Sequence, residues 1–257
     1  MQRVLRVTKR FHQTAAGSSV DSKEIENFGK LSAEWADELG PFHALHSLNR
    51  LRVPWIVGNL KTQKAPKLVD VGSGGGLLSI PLARSGIHVT GIDATKQAVE
   101  AARKSLESRP LKLSGISDRC RFEHTTVEEF SSQPENREKF DAVVASEILE
   151  HVADLEGFVK SLADLAKPGA PIFLTTINRT LASKVAAIWL AENVLQIVPA
   201  GVHDWNKFPT PAELETHLKS ANCQISALSG LMYHPVGNHW TWIDSNLCNY
   251  AILAHKV

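Results

Sequence analysis

Val69-Asp70-Val71-Gly72-Ser73-Gly74-Gly75-Gly76 is the stretch that decides the fold of this 257-residue chain. A short apolar run stops at four glycines within five residues. Such a run reads as a strand that turns straight into a helix. Glycine at that turn lets a ligand approach the backbone closely, because no Cβ intervenes. A merely flexible turn is the plainer alternative, and glycines this dense argue against it. A dinucleotide pyrophosphate would require G-x-G-x-x-G at the helix N-terminus. Here the spacing is G-x-G-x-G, with Leu77 where the last glycine should stand, which argues against a nicotinamide-dependent oxidoreductase.

Outward from this turn, strands and helices alternate. Lys67–Val71, His88–Asp93, Arg121–Thr125, Phe140–Ser146 and Pro171–Thr176 read as strands, and Leu77–Arg84, Lys96–Glu107 and Leu155–Leu165 as the helices between them. Repeated βα units imply a parallel sheet with helices on both faces. Gln224–Met232 and Asn249–Ala254 add two closing strands after a helix at Ala212–Ser220. The expectation is an α/β, Rossmann-like, doubly wound and mostly parallel sheet of seven strands.

Two helical additions flank this pattern. Asp21 and Glu24 form a capping-box pattern for a helix running toward Trp35, and a second helix, disturbed by Pro54, is expected from His43 to Leu60. Late in the chain, Leu181–Val198 reads as a long apolar-rich helical insertion. No internal repeat or linker divides residues 21–257, which are expected to form a single domain.

The formal net charge of +1 gives no electrostatic case for nucleic acid as a partner. Cys120, Cys223 and Cys248 lie far apart, without the paired spacing of a zinc site or a disulfide framework. No apolar run is long enough to span a bilayer. Residues 1–20 differ from the rest. Arg3, Arg6, Lys9 and Arg10 lie opposite an apolar arc of Met1, Val4, Leu5, Val7 and Phe11, and the first acid is Asp21. An Arg-rich, acid-free amphipathic leader is the pattern of a mitochondrial presequence; a frayed basic tail is the alternative.

Three further groups belong with the glycine loop. Asp93 closes the second strand 21 residues after Gly72, where a carboxylate can accept both hydroxyls of a ribose; capping the next helix is its alternative role. Thr126-Val127-Glu128 follows the third strand, with Val127 placed to pack on a base. After the fourth strand comes Ser146-Glu147-Ile148-Leu149-Glu150-His151. A helix beginning near Glu147 would put Glu147, Glu150 and His151 on one face. Two carboxylates and an imidazole there suit Mg²⁺ or Mn²⁺, whereas acids at a helix N-terminus also simply stabilise its dipole.

The glycine spacing with its preceding acid resembles the nucleotide loop of class I S-adenosylmethionine-dependent methyltransferases. Gly40-Pro41-Phe42, Asn49-Arg50-Leu51-Arg52, Thr176-Ile177-Asn178-Arg179 and Gly201-Val202-His203-Asp204-Trp205, in this order around it, narrow the resemblance. From about Ile25 to its end the chain resembles the ubiquinone-biosynthesis O-methyltransferases. The resemblance implies methylation of catechol-type hydroxyls on a polyprenylated ring, with S-adenosylmethionine as cofactor and Mg²⁺ or a similar cation. It implies cofactor contacts at Arg52, Gly72, Asp93 and Ser146, and Gly74 belongs to the same loop. It implies a metal on Glu147, Glu150 and His151, with His151 as ligand rather than general base. Arg52 suits a bidentate grip on the methionine carboxylate.

The chain departs from the family at Ser73, often a cysteine, and at Ser146, often a methionine, so a contact at Ser146 is expected through its backbone. The implied setting is the matrix side of the mitochondrial inner membrane, held peripherally, with a prenylated catechol substrate and a ubiquinone-biosynthesis complex as partners. Leu181–Pro199, with Ile188 and Trp189, is the expected membrane contact, with an ordinary core helix or a dimer contact as the alternative. An O-methyltransferase for another small molecule and a non-catalytic scaffold are the alternatives.

Overall fold

The computed structural model describes residues 19–20, 25, 35, 37–40, 42–60, 64–181, 183 and 205–257. Most of the leader, the Asp21/Glu24 cap, nearly all of the Leu181–Val198 stretch and residues 201–204 therefore lie outside the described residues.

The elements in chain order are α1 (His43–Asn59), β1 (Lys67–Val71), α2 (Ser79–Arg84), β2 (His88–Asp93), α3 (Lys96–Leu106), α4 (Arg109–Leu113), β3 (Cys120–His124), α5 (Val127–Ser132), β4 (Ala142–Ser146), α6 (Leu155–Leu165), β5 (Pro171–Ile177), α7 (Pro211–Ser220), β6 (Cys223–His234), β7 (His239–Ile243) and β8 (Asn249–Lys256). They build one eight-stranded sheet in the order β3-β2-β1-β4-β5-β8-β6-β7. The first five strands pair in parallel, and β8 enters antiparallel between β5 and β6.

Local chemistry explains the main boundaries. β1 and β4 are buried on both sides, hence their near-continuous apolar runs. Leu68 and Val144 face a layer with Ile56, Leu82 and Val99. Val69, Val71 and Val143 face the opposite layer, with Phe158, Leu162 and Leu214. α6 begins where the Asp154 carboxylate accepts the Gly157 N–H at 3.0 Å. α7 begins with Pro211 behind a full capping box, in which Thr210 and Glu213 satisfy each other's backbone N–H. Pro54 is accommodated within α1.

Two expectations need correction. The sheet has eight strands, not seven, because β7 pairs with β6 from Gly230↔Ile243 to His234↔His239. The intervening turn holds Gly237 and Asn238 at positive φ. Its signal, two aromatics at alternate positions in His239-Trp240-Thr241-Trp242-Ile243, was present in the sequence. Trp240 and Trp242 turn toward α1: Trp240 Nε1 donates to the Ala44 carbonyl at 2.9 Å, and Trp242 packs edge-on against Trp55.

The second correction concerns the segment after β4. No α-helix starts at Glu147. That residue takes a left-handed φ of 57°, and only a single 3-10 turn, Leu149–His151, follows. A residue with positive φ cannot open a right-handed helix. Glu147, Glu150 and His151 therefore do not share a helical face.

Candidate active site

The carboxyl ends of β1, β2 and β4 meet beside the topological switch of the sheet, where ligands bind in doubly wound folds. A pocket there is lined by Gly72, Gly74, Asp93, Val127, Glu147 and His151, among others. Five of the eight expected site residues thus line one cavity. Arg52, Ser146 and Glu150 do not belong to its wall.

Gly72 and Gly74 have φ of 75° and 52°, values that disfavour any side chain. The space above them is also taken. A Cβ on Gly72 would lie 2.6 Å from Ile148, and one on Gly74 2.8 Å from the Trp35 ring. Trp35 itself stacks on Phe42 at 4.1 Å. The loop's glycines thus serve close protein packing as well as ligand approach.

Asp93 holds the loop in place. Its Oδ2 accepts the Gly74 N–H at 2.8 Å and its Oδ1 the Thr95 N–H at 2.7 Å. Burial nevertheless pushes its carboxyl above the usual carboxylate range. The acceptor capacity left on the carboxylate can take a ribose hydroxyl without releasing the loop. Thr95, not Asp93, occupies the cap position of α3. Val127 lines the pocket but is also a core residue.

Behind the pocket runs a connected polar chain. Arg52 Nη1 donates to Ser146 Oγ at 2.7 Å, Ser146 Oγ meets Thr175 Oγ1 at 2.5 Å, and Thr175 Oγ1 donates to Glu147 Oε1 at 2.7 Å. Arg52 is only 4% exposed, which lowers its pKa, while Glu147 and Asp70 favour its charge. The Ser146 hydroxyl is engaged within the protein, between Arg52 and Thr175. Thr175 carried no sequence signal of its own; only pairing of β4 with β5 places it beside Ser146.

Glu150 is buried and accepts Thr176 Oγ1 at 2.7 Å. Burial first, and then neighbouring Glu150, push Glu147 up to about 7. The two carboxylates are thus brought near each other, but among the described residues no three His, Cys, Asp or Glu side chains converge to hold a metal ion. As they stand, Glu147, Glu150 and His151 do not fit a three-donor site.

Three further signature positions make contacts within the protein. Asn178 Nδ2 donates to the Asn246 carbonyl at 2.7 Å, Arg179 pairs with Glu213, and Trp205 Nε1 donates to the Thr180 carbonyl at 3.0 Å. Asn178 and Arg179 tie the end of β5 to the β7–β8 loop and to α7, and Trp205 ties the start of the next described segment back to Thr180. Among the wall residues that carried no expectation of a site role are Ser19 and Val20, which were assigned to the leader.

The glycine loop, the acid closing β2 and an antiparallel strand inserted beside β5 together define a class I S-adenosylmethionine-dependent methyltransferase. A family described as a methyltransferase domain matches residues 35–228. The chain is similar to a magnesium protoporphyrin IX methyltransferase from Synechocystis, solved with bound S-adenosylhomocysteine. The TM-score is 0.62 at 17% identity, covering 92% of this chain and 95% of that one. It is 39% identical to the mitochondrial ubiquinone biosynthesis O-methyltransferase of Mus musculus, over 97% of this chain and 68% of that protein. The ubiquinone biosynthesis O-methyltransferase of Methylobacterium sp. (strain 4-46) is 36% identical, over 93% of this chain and 97% of its own. The chain belongs to the ubiquinone biosynthesis O-methyltransferase family.

Proposed function

We propose that the protein transfers the methyl group of S-adenosylmethionine to a catechol-type hydroxyl of a polyprenylated ring intermediate in ubiquinone biosynthesis. The observation that carries this reading is the junction of Gly72, Gly74 and Asp93 in one pocket, in a chain of this family. The sulfonium methyl is already activated, so the protein's main task is to hold an oxygen nucleophile in line with it and to keep water away. Asp93 takes the ribose and the glycine loop the amino-acid portion of the cofactor. Arg52, hydrogen-bonded to Ser146 Oγ at 2.7 Å, is the residue proposed to pair the methionine carboxylate.

A divalent cation such as Mg²⁺ on Glu147, Glu150 and His151 is the finer proposal. The two neighbouring buried carboxylates support it, since a cation would relieve their repulsion. The three side chains do not converge as they stand, so no step here runs through a metal. The setting proposed with this activity is mitochondrial, peripheral on the matrix side of the inner membrane, with a cleaved leader and a biosynthetic complex as partner. Mitochondrial relatives support the compartment. No described helix is long and apolar enough to cross a membrane.

The test is acceptor choice. Purified protein with S-adenosylmethionine should methylate short-chain prenylated catechols, and methylate the same catechols without the prenyl chain more slowly. Equal turnover on both would favour an O-methyltransferase for another small molecule. No turnover on any catechol, with S-adenosylhomocysteine still bound, would favour a non-catalytic scaffold.

A further inference from the structure

Ser19 joins the first turn of α5 to the segment after β4, two places that the sheet holds apart. Its N–H donates to Glu128 Oε1 at 3.2 Å, and its carbonyl accepts the Ala153 N–H at 2.7 Å. Val20 forms an antiparallel bridge with Val152. Glu128 follows β3, and Val152 and Ala153 follow β4. Those strands are separated by β2 and β1, three strand spacings or about 14 Å. The gap between them is where Gly72 and Asp93 lie. One nearly buried residue, 3% exposed, therefore stitches together the two rims of the pocket.

We propose that Ser19 and Val20 form a strap that retains the cofactor in this pocket, with Glu128 as its positioning anchor. The proposal rests on the reading that the pocket holds S-adenosylmethionine. A strap tied to both rims must release at least one of them before a ligand beneath it can leave. Its grip is moderate, because Glu128 Oε2 is buried with no hydrogen-bond partner among the described residues. A carboxylate oxygen buried unpaired opposes closure, so the strap can open for exchange. The second tie lies directly after His151, which links the cofactor cover to the acceptor side of the site. It follows that removal of a leader in a mature protein must stop short of Ser19.

Dissociation of S-adenosylhomocysteine from the full chain tests this, followed by stopped flow. Ser19→Pro removes the N–H that Glu128 accepts, and Glu128→Ala removes the acceptor. Each should speed release by about tenfold, the scale of one hydrogen bond to a charged group. The double variant should be no faster than either single one, because both remove the same bond. Hydrogen exchange on the wild type gives a second readout that needs no variant: bound S-adenosylhomocysteine should slow exchange at Ser19 and Val20. Unchanged release in Ser19→Pro, or exchange at these residues indifferent to the ligand, would overturn the strap alone. A wild type that binds no S-adenosylhomocysteine would overturn the cofactor reading and the strap with it.

Discussion

The N–H of Gly74 lies 2.8 Å from Oδ2 of Asp93, so the loop after β1 and the acid that ends β2 are one hydrogen-bonded unit. Asp93 thus has two tasks, shaping the glycine loop and meeting the ribose. Asp93→Ala should weaken S-adenosylhomocysteine binding by about tenfold to a hundredfold, at roughly 1.5–3 kcal/mol per hydrogen bond to a charged acceptor. Isothermal calorimetry reads this directly. Affinity unchanged in the variant would remove Asp93 from the cofactor site.

Arg52 and Glu147 communicate through two hydroxyls. Ser146→Ala should break that connection without removing either charge, lowering turnover more than folding stability. Arg52→Met removes a buried cation flanked by Glu147 and Asp70, and should destabilise the fold by about 3–5 kcal/mol, as for other broken buried pairs. Urea unfolding of the two variants separates the effects. Equal stability loss in both would mean that the hydroxyl, not the charge, holds this floor together.

Asp70 predicts a pH dependence of stability. Burial raises its carboxyl to about 6, against the hydrogen bond from Ser79 and the charge of Arg52, which lower it. A carboxyl with a raised folded pKa binds its proton more tightly folded than unfolded. Stability from this group is therefore full below about pH 4 and is lost as pH rises toward 6. Asp70→Asn should remove the dependence, gaining on the wild type by about 2 kcal/mol between pH 4 and pH 7. Denaturant midpoints at the two pH values check it; a constant difference would show that Asp70 titrates normally.

The metal is open to removal. If Mg²⁺ serves the acceptor, exhaustive chelation should abolish turnover, added Mg²⁺ should restore it, and Glu150→Gln should reduce turnover far more than affinity for S-adenosylhomocysteine. Full activity after chelation would assign Glu147, Glu150 and His151 to protein architecture alone.

How far the sequence foretold the molecule differs from element to element. The βα succession was legible because its strands are buried on both faces and its glycines punctuate the chain. Boundaries moved little: Arg121–Thr125 became Cys120–His124, and Gln224–Met232 became Cys223–His234. β7 was missed because its polar edge positions diluted an alternation that Trp240 and Trp242 carry. The backbone at Glu147 was not legible. A left-handed residue without glycine or asparagine has no local signature, and the β4–β5 register that gives Glu147 its Thr175 partner is non-local. Ser19 was hidden for the same reason. Its partners are Glu128 and Ala153, and composition assigns it to the leader.

The most direct measurement of the central claim is transfer of labelled methyl from S-adenosylmethionine to a short-chain prenylated catechol, with the product oxygen identified by NMR. The account predicts one labelled O-methyl group per turnover, S-adenosylhomocysteine released in equal amount, and turnover sharply reduced in Asp93→Ala. Label on carbon or nitrogen, or transfer indifferent to the loss of Asp93, would contradict it.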